Sequence, residues 1–203
     1  QGNWVTKDTS GGQTSAQTLT TNELNEVTQT DTNRAIENFC HDDKGNVTCD
    51  NAYVCAYDPW SRLRRMSVAS SGQTFAEYNY DAAGRRVERK ITNTTHYNSH
   101  LFYYYDGMEL IQERDAGNAI VREYLNGRGV GEKLYLAGTG YYHSDSMGSA
   151  AALTDIDGNI LERYDYSAYG KSQFFSGDYS TVHLRSPAGN PFLIQDQFFS
   201  PIK

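Results

Sequence analysis

Apolar and polar residues alternate one for one along short runs of this chain. The clearest is Glu77-Tyr78-Asn79-Tyr80, the period-2 pattern of a strand with two unlike faces. Asp81 then opens a tight turn, where its carboxylate can accept a backbone N–H two residues on. Gly84 stands three positions later, where a type I turn continued by a left-handed residue asks for glycine. The pattern predicts a hairpin over residues 74–91 with 81–84 as its loop. In that register Tyr80 faces Arg85, Tyr78 faces Val87 and Ala76 faces Arg89.

The same grammar recurs, which makes it a repeat. Asp-x-x-Gly stands at Asp42–Gly45, Asp81–Gly84, Asp145–Gly148 and Asp155–Gly158. Tyr57-Asp58-Pro59-Trp60-Ser61-Arg62 and Tyr166-Ser167-Ala168-Tyr169-Gly170-Lys171 are variants that keep a turn former and a basic residue after it. Tyr105-Asp106-Gly107 and Arg114-Asp115-Ala116-Gly117-Asn118 read as shortened versions.

The arms between these turns predict strands. Gly2-Asn3-Trp4 and Asn22 to Gln29 read as short polar strands joined by Gly11-Gly12, with a disordered leader as the other reading of residues 1–38. Val47-Thr48-Cys49 pairs back across the first turn, and Tyr53 to Tyr57 runs into the Asp58 turn. Leu63 and Met66 fall on opposite faces, so no inner face is assigned to the strand of Arg62, Arg64 and Arg65. Leu101 to Tyr105 is apolar on both faces and reads as a central strand. Asn126 to Gly140 reads as loop, strand and loop.

Composition agrees with strands and tight turns: Tyr 16 and Gly 18 against Pro 4 in 203 residues. That length holds one domain or a large piece of one. A formal net charge of −7 argues against a nucleic-acid backbone as partner. No apolar run reaches the roughly 18 residues that a membrane helix needs, and no signal peptide is visible.

Little in the sequence suggests chemistry. Cys40, Cys49 and Cys55 lie at spacings that fit no common zinc motif, even with His41 beside Cys40. One disulfide with a spare thiol is expected, three buried thiols being the alternative. Cys40 and Cys49 flank the Asp42–Gly45 turn and come near each other if that hairpin forms, but spacing does not choose the pair. His143, Asp145 and Ser149 crowd around one turn, too tightly for a base oriented by a buried acid. Asp155, Asp157, Gly158 and Asn159 resemble the start of a calcium loop, but the glycine comes too early and no glutamate stands at the twelfth position. Arg62, Arg64, Arg65, Arg85 and Arg86 could recognise phosphate, though pairing with nearby carboxylates is the simpler expectation. Gly127-Arg128-Gly129-Val130-Gly131 lacks the phosphate-binding spacing and no helix follows it. The tyrosines could stack on sugars, but hairpin positions favour sheet packing. No catalytic, cofactor-binding or metal residue is therefore expected.

These residues resemble a known family, the bacterial RHS/YD-repeat proteins. The YD dipeptide stands at Tyr57-Asp58, Tyr80-Asp81 and Tyr105-Asp106. Tyr141-Tyr142-His143 through Gly170, with Leu153-Thr154-Asp155, Gly158-Asn159 and Arg163-Tyr164-Asp165-Tyr166, is similar to the RHS-repeat-associated core. Asn190-Pro191-Phe192 is similar to the motif that follows it. The resemblance covers most of residues 38–194. It implies an all-β fold: antiparallel hairpin repeats in a spiralling sheet, part of a shell that at full length encloses a C-terminal toxin or effector. Animal teneurins use a similar barrel for adhesion. Two features depart from the family pattern. Ser167 stands where Asp is usual, and the Asp-Pro-x-Gly motifs that support self-cleavage do not follow Ile194; Asp196 is the only carboxylate between there and Lys203.

The expected organisation is a polar set of strands over 1–37 from the interior of a longer array, YD-repeat hairpins over 38–140, a core-like segment over 141–194 and a truncated or divergent tail over 195–203. The expected function is a structural, non-enzymatic module of a secreted or surface RHS-type protein. Its partners would be the rest of a longer repeat chain or a second copy through sheet edges, with a toxin cargo possible, and no nucleic acid, cofactor or transmembrane segment. The alternative is a surface module that binds carbohydrate or protein through exposed aromatic rings.

Overall fold

The computed structural model describes residues 5–10, 13–32, 34–94, 98–129, 131–167 and 172–193. Expectations that fall on Gly2 to Trp4, Gly11-Gly12, Ala168 to Lys171 and residues 194–203, Asp196 among them, lie outside the described residues. All described regular structure is β-strand. The chain divides into two compact units, Gln1–Leu101 and Phe102–Lys203.

The first unit opens with the four-stranded sheet β1 (Val5–Ser10), β2 (Gln13–Thr21), β3 (Val27–Thr32) and β4 (Ala35–Asn38). Then come β5 (Cys40–His41), β6 (Val47–Cys49), β7 (Tyr53–Tyr57), β8 (Leu63–Val68), β9 (Thr74–Tyr80) and β10 (Arg86–Ile91), each antiparallel to the next. Strand β11 (Ser99–Asp106) carries the division between units. The second unit continues with β12 (Glu109–Asp115), β13 (Ile120–Asn126), β14 (Lys133–Leu136), β15 (Gly140–Ser144), β16 (Ala150–Thr154), β17 (Ile160–Tyr166), β18 (Ser172–Ser176) and β19 (Val182–His183). These too pair antiparallel in chain order.

One turn, with one set of bonds, closes seven of these hairpins. It starts at Asn22, Asp42, Asp58, Asp81, Asp115, Asp145 and Asp155. The first residue's N–H donates to the fifth residue's C=O at 2.8–3.0 Å, and the fourth residue's N–H donates back to the first C=O at 3.0–3.2 Å. The fourth residue is left-handed in every case: Asn25, Gly45, Ser61, Gly84, Asn118, Gly148 and Gly158, with φ from 61° to 84°. The first side chain's Oδ1 accepts the fifth residue's N–H as well, at 2.8–3.0 Å.

The ladder then slips in the same place each time. The residue before the turn pairs with the sixth turn position and the one before that with the eighth, which leaves Thr28, Thr48, Arg64, Val87, Val121, Ala151 and Leu161 as bulges. This corrects the register expected from sequence. Tyr80 faces Arg86, Tyr78 faces Arg89 and Ala76 faces Ile91. A left-handed fourth residue adds one position to the returning arm, and the bulge at Val87 adds another.

Three further expectations change. Asn22 to Glu26 is a turn and not a strand, because Asn22 Oδ1 takes the N–H groups of Leu24 and Glu26, both at 3.0 Å. The Asp115 turn is full length, with Asn118 in place of glycine. Strand β11 alternates: Leu101 and Tyr103 are buried while Tyr104 is exposed. The cysteines pair as Cys40–Cys49, with Cys55 outside the disulfide. Their position explains the pair, since they occupy directly opposed sites just beyond a turn.

Candidate functional site

In the second unit, alternation sends Tyr124 and Leu136, Tyr142 and Leu153, and Tyr164 and Phe174 to the same buried face as opposed pairs. Two glutamates share that face. Glu113 and Glu162 are 0% and 1% exposed. Buried carboxylates need partners, and both have them. Glu113 accepts the Tyr124 hydroxyl and the Arg122 guanidinium, the latter at 3.0 Å. Glu162 accepts the Tyr164 hydroxyl, Ser186 Oγ at 2.5 Å and the Ala188 N–H at 3.3 Å.

These bonds fasten a strap, residues 186–193, across the buried face. Arg122 Nε donates to the Gly189 carbonyl at 3.1 Å while its other nitrogen holds Glu113. Tyr142 donates its hydroxyl to Asn190 Oδ1 at 2.7 Å. Asn190 folds the strap on itself: its Oδ1 accepts the Phe192 N–H at 2.9 Å and its Nδ2 donates to the Phe192 carbonyl at 2.7 Å. Phe192 meets the Tyr124 ring edge-on at 5.1 Å, and the Ala150 N–H donates to the Leu193 carbonyl at 2.8 Å. Lys133, also buried, sets Nζ 4.8 Å from the centre of the Phe192 ring and 3.2 Å from Glu109 Oε2.

The electrostatics fix proton positions. Burial pushes the Tyr124 hydroxyl far above its ordinary range, and the Glu113 charge adds to it. Burial and Glu162 do the same to Tyr164. Burial works to raise Glu109, but bonds from the Gly131 N–H and Lys133 hold it below the usual carboxylate range. Both tyrosines therefore stay protonated donors at any physiological pH. The arrangement holds a segment of chain in place.

Residues singled out in the sequence are placed elsewhere. His143 bonds Thr154 Oγ1 at 2.9 Å, while Asp145 Oδ1 is taken by the N–H groups of Met147 and Ser149. Asp155 accepts the N–H groups of Asp157 and Asn159 and the Asn159 side chain. Arg62 and Arg85 each bind the aspartate of their own turn, Asp58 and Asp81, at 2.7 Å. Arg62 also lies between the rings of Trp60 and Tyr80. Arg64 and Arg65 are exposed. In the glycine-rich loop the Gly129 and Gly131 amides donate to Glu132 and Glu109. Sequence reasoning picked out Asn190-Pro191-Phe192 but missed Glu113, Lys133 and Glu162. The available signal was a charge at an inward position of an alternating strand.

No protein-family model matches the chain. It is 30% identical over 138 residues to the tRNA3(Ser)-specific nuclease WapA of Bacillus spizizenii, covering 66% of this chain and 6% of that protein. It is 27% identical over 141 residues to the tRNA nuclease WapA of Bacillus subtilis, again 66% of this chain and 6% of the relative. Among solved structures, TcdB2-TccC3 without its hypervariable C-terminal region aligns with 84% of this chain and 11% of that one, at a TM-score of 0.47 and 12% identity. A Photorhabdus luminescens Tc holotoxin pore aligns with 93% and 13%, at 0.49 and 10% identity. The fold and the buried face define an all-β hairpin-repeat protein whose side chains hold structure together. The chain resembles the RHS/YD-repeat proteins and spans about 6% of the length of the WapA relatives it matches.

Proposed function

We propose that this chain is a structural module of an RHS-type shell, secreted or surface-delivered, that is not an enzyme acting on other molecules. The observation that carries the reading is the repetition of one self-satisfied turn and bulge along both units, which makes each hairpin a template for the next. In the family such a sheet encloses a toxin or effector, and that cargo is the proposed partner here. The matched stretch is a small fraction of the WapA proteins, so the nuclease activity in their names is not transferred to it.

The test is incubation of the purified chain over days at mildly acidic and neutral pH, alone and with tRNA. The expected result is intact protein and intact tRNA. Specific self-cleavage near residues 190–200, abolished by Asp196→Asn and unaffected by protease inhibitors, would overturn the reading, as would cleavage of tRNA. Asp178, the nearest other acid, is held far below the usual range by the hydroxyls of Ser176 and Ser180.

A second reading, a binding surface for carbohydrate, is favoured by the exposed face of the second unit. There Tyr135 and Tyr141 lie opposite each other with rings 4.8 Å apart, and Tyr179 stands half-exposed over Arg163. Binding to a glycan panel, lost in Tyr141→Ala, would favour it over the shell.

A further inference from the structure

The hairpin of β13 and β14 is not closed by the Asp or Asn turn. Its loop is the glycine-rich stretch, and its ladder slips between Leu125 and Asn126. At the loop end of this ladder Asn126 stands directly opposite Lys133. Directly opposed residues share a face, with Cβ atoms roughly 4.5–5.5 Å apart. Lys133 is 5% exposed, an unusual place for a lysine. Its Nζ is 3.2 Å from Glu109 Oε2 and lies against the Phe192 ring. Asn126 donates through Nδ2 to the Leu110 carbonyl at 3.1 Å, but its buried Oδ1 accepts no hydrogen bond. A buried amine bonded to a partly exposed carboxylate thus stands across the ladder from a carboxamide whose buried carbonyl is unengaged.

We propose that Lys133 and Asn126 form an intramolecular amide cross-link between β13 and β14, with Glu109 moving the protons. The Lys133 ammonium passes a proton to Glu109 along the bond already present, which leaves a free electron pair on Nζ. Nζ attacks Cγ of Asn126 and the carbonyl becomes a tetrahedral oxyanion. Glu109 returns its proton to Nδ2, the Cγ–Nδ2 bond breaks and ammonia leaves as the carbonyl re-forms. The remaining extra proton on Nζ leaves through Glu109 and ends on the departing ammonia as ammonium. One C–N bond forms and one breaks, Glu109 ends as it began, and no oxidant or co-reactant is needed. The product is a covalent staple where the recurring turn is missing.

The intact mass of the purified, denatured chain tests this. The cross-linked chain is lighter than its sequence by one ammonia. Trypsin then releases residues 123–128 joined to a peptide that runs through an uncut Lys133. Lys133→Arg, Glu109→Gln and Asn126→Ala should each restore the full mass expected of that variant. A wild-type chain at full sequence mass, with normal cleavage after Lys133, overturns the proposal. A loss of ammonia localised to an unlinked peptide 123–128 that persists in Lys133→Arg overturns it too, because that marks a succinimide at Asn126-Gly127 and not a cross-link.

Discussion

At Asp42 and Asp155 the side chains of Asn46 and Asn159 are the main cause of a carboxyl held below its ordinary value of 3.8. At Asp58 and Asp81 burial acts to raise the carboxyl, but bonds from Arg62 and Arg85 win and hold it low. A carboxyl whose folded pKa is depressed contributes stability that is fully present above the unfolded value and lost as pH falls through the folded one. Unfolding free energy should therefore be flat at neutral pH and decline below about pH 4. A denaturant series from neutral pH to strongly acid pH checks this, and Asp155→Asn should shallow the decline. The left-handed fourth residue is the other fixed point. Gly84 has φ +84°, and a Cβ added there would meet only the Arg62 side chain, at an ordinary 3.8 Å. Gly84→Val should thus act through the backbone alone and cost about 1–2 kcal/mol. Gly84→Asn should cost less, since Asn25 and Asn118 fill the same position. Equilibrium unfolding midpoints distinguish the two.

At the scale of elements, the strap 186–193 depends on side chains from several strands. Glu162 comes from β17, Arg122 and Tyr124 from β13, Tyr142 from β15. Removing Glu162 takes the acceptor from the buried Tyr164 hydroxyl and from the half-buried Ser186 hydroxyl and Ala188 N–H. Each polar group left unsatisfied costs about 1–3 kcal/mol. Glu162→Ala should lower the unfolding midpoint and loosen the strap before the sheet melts. Limited trypsin digestion reads this directly, with faster cleavage after Arg185 than in the wild type. Hydrogen exchange at Ala150, whose N–H donates to Leu193, should accelerate in the same variant. Unchanged exchange and digestion would show that the strap is held by Phe192 and Leu193 alone.

For the molecule as a whole, the terminal strands decide behaviour in solution. Among the described residues, the short β5 and β19 end their sheet with one side unpaired by a strand. Open ladder edges invite pairing with another chain. The isolated chain should associate in a concentration-dependent way, which sedimentation at rising concentration checks; a monomer at every concentration would reject it. No described helix is long and apolar enough to cross a membrane.

The turns were legible residue by residue, because each is satisfied within five consecutive positions: an Asp side chain, a left-handed glycine and a closing amide need nothing from elsewhere. Alternation such as Tyr78 and Tyr80 around Asn79 was legible for the same local reason. Asn22 and Asn118 escaped because asparagine fills these roles less conspicuously than Asp and Gly. Register could not be read, since it depends on bulges that form only when the facing strand is present. The choice of Cys40 with Cys49 followed from that register. Glu113, Glu162 and Lys133 look like solvated charges in sequence. Only the tertiary structure brings Tyr124, Arg122, Ser186, Glu109 and Phe192 against them, and a buried charge is stable only where such partners from other strands and the strap converge.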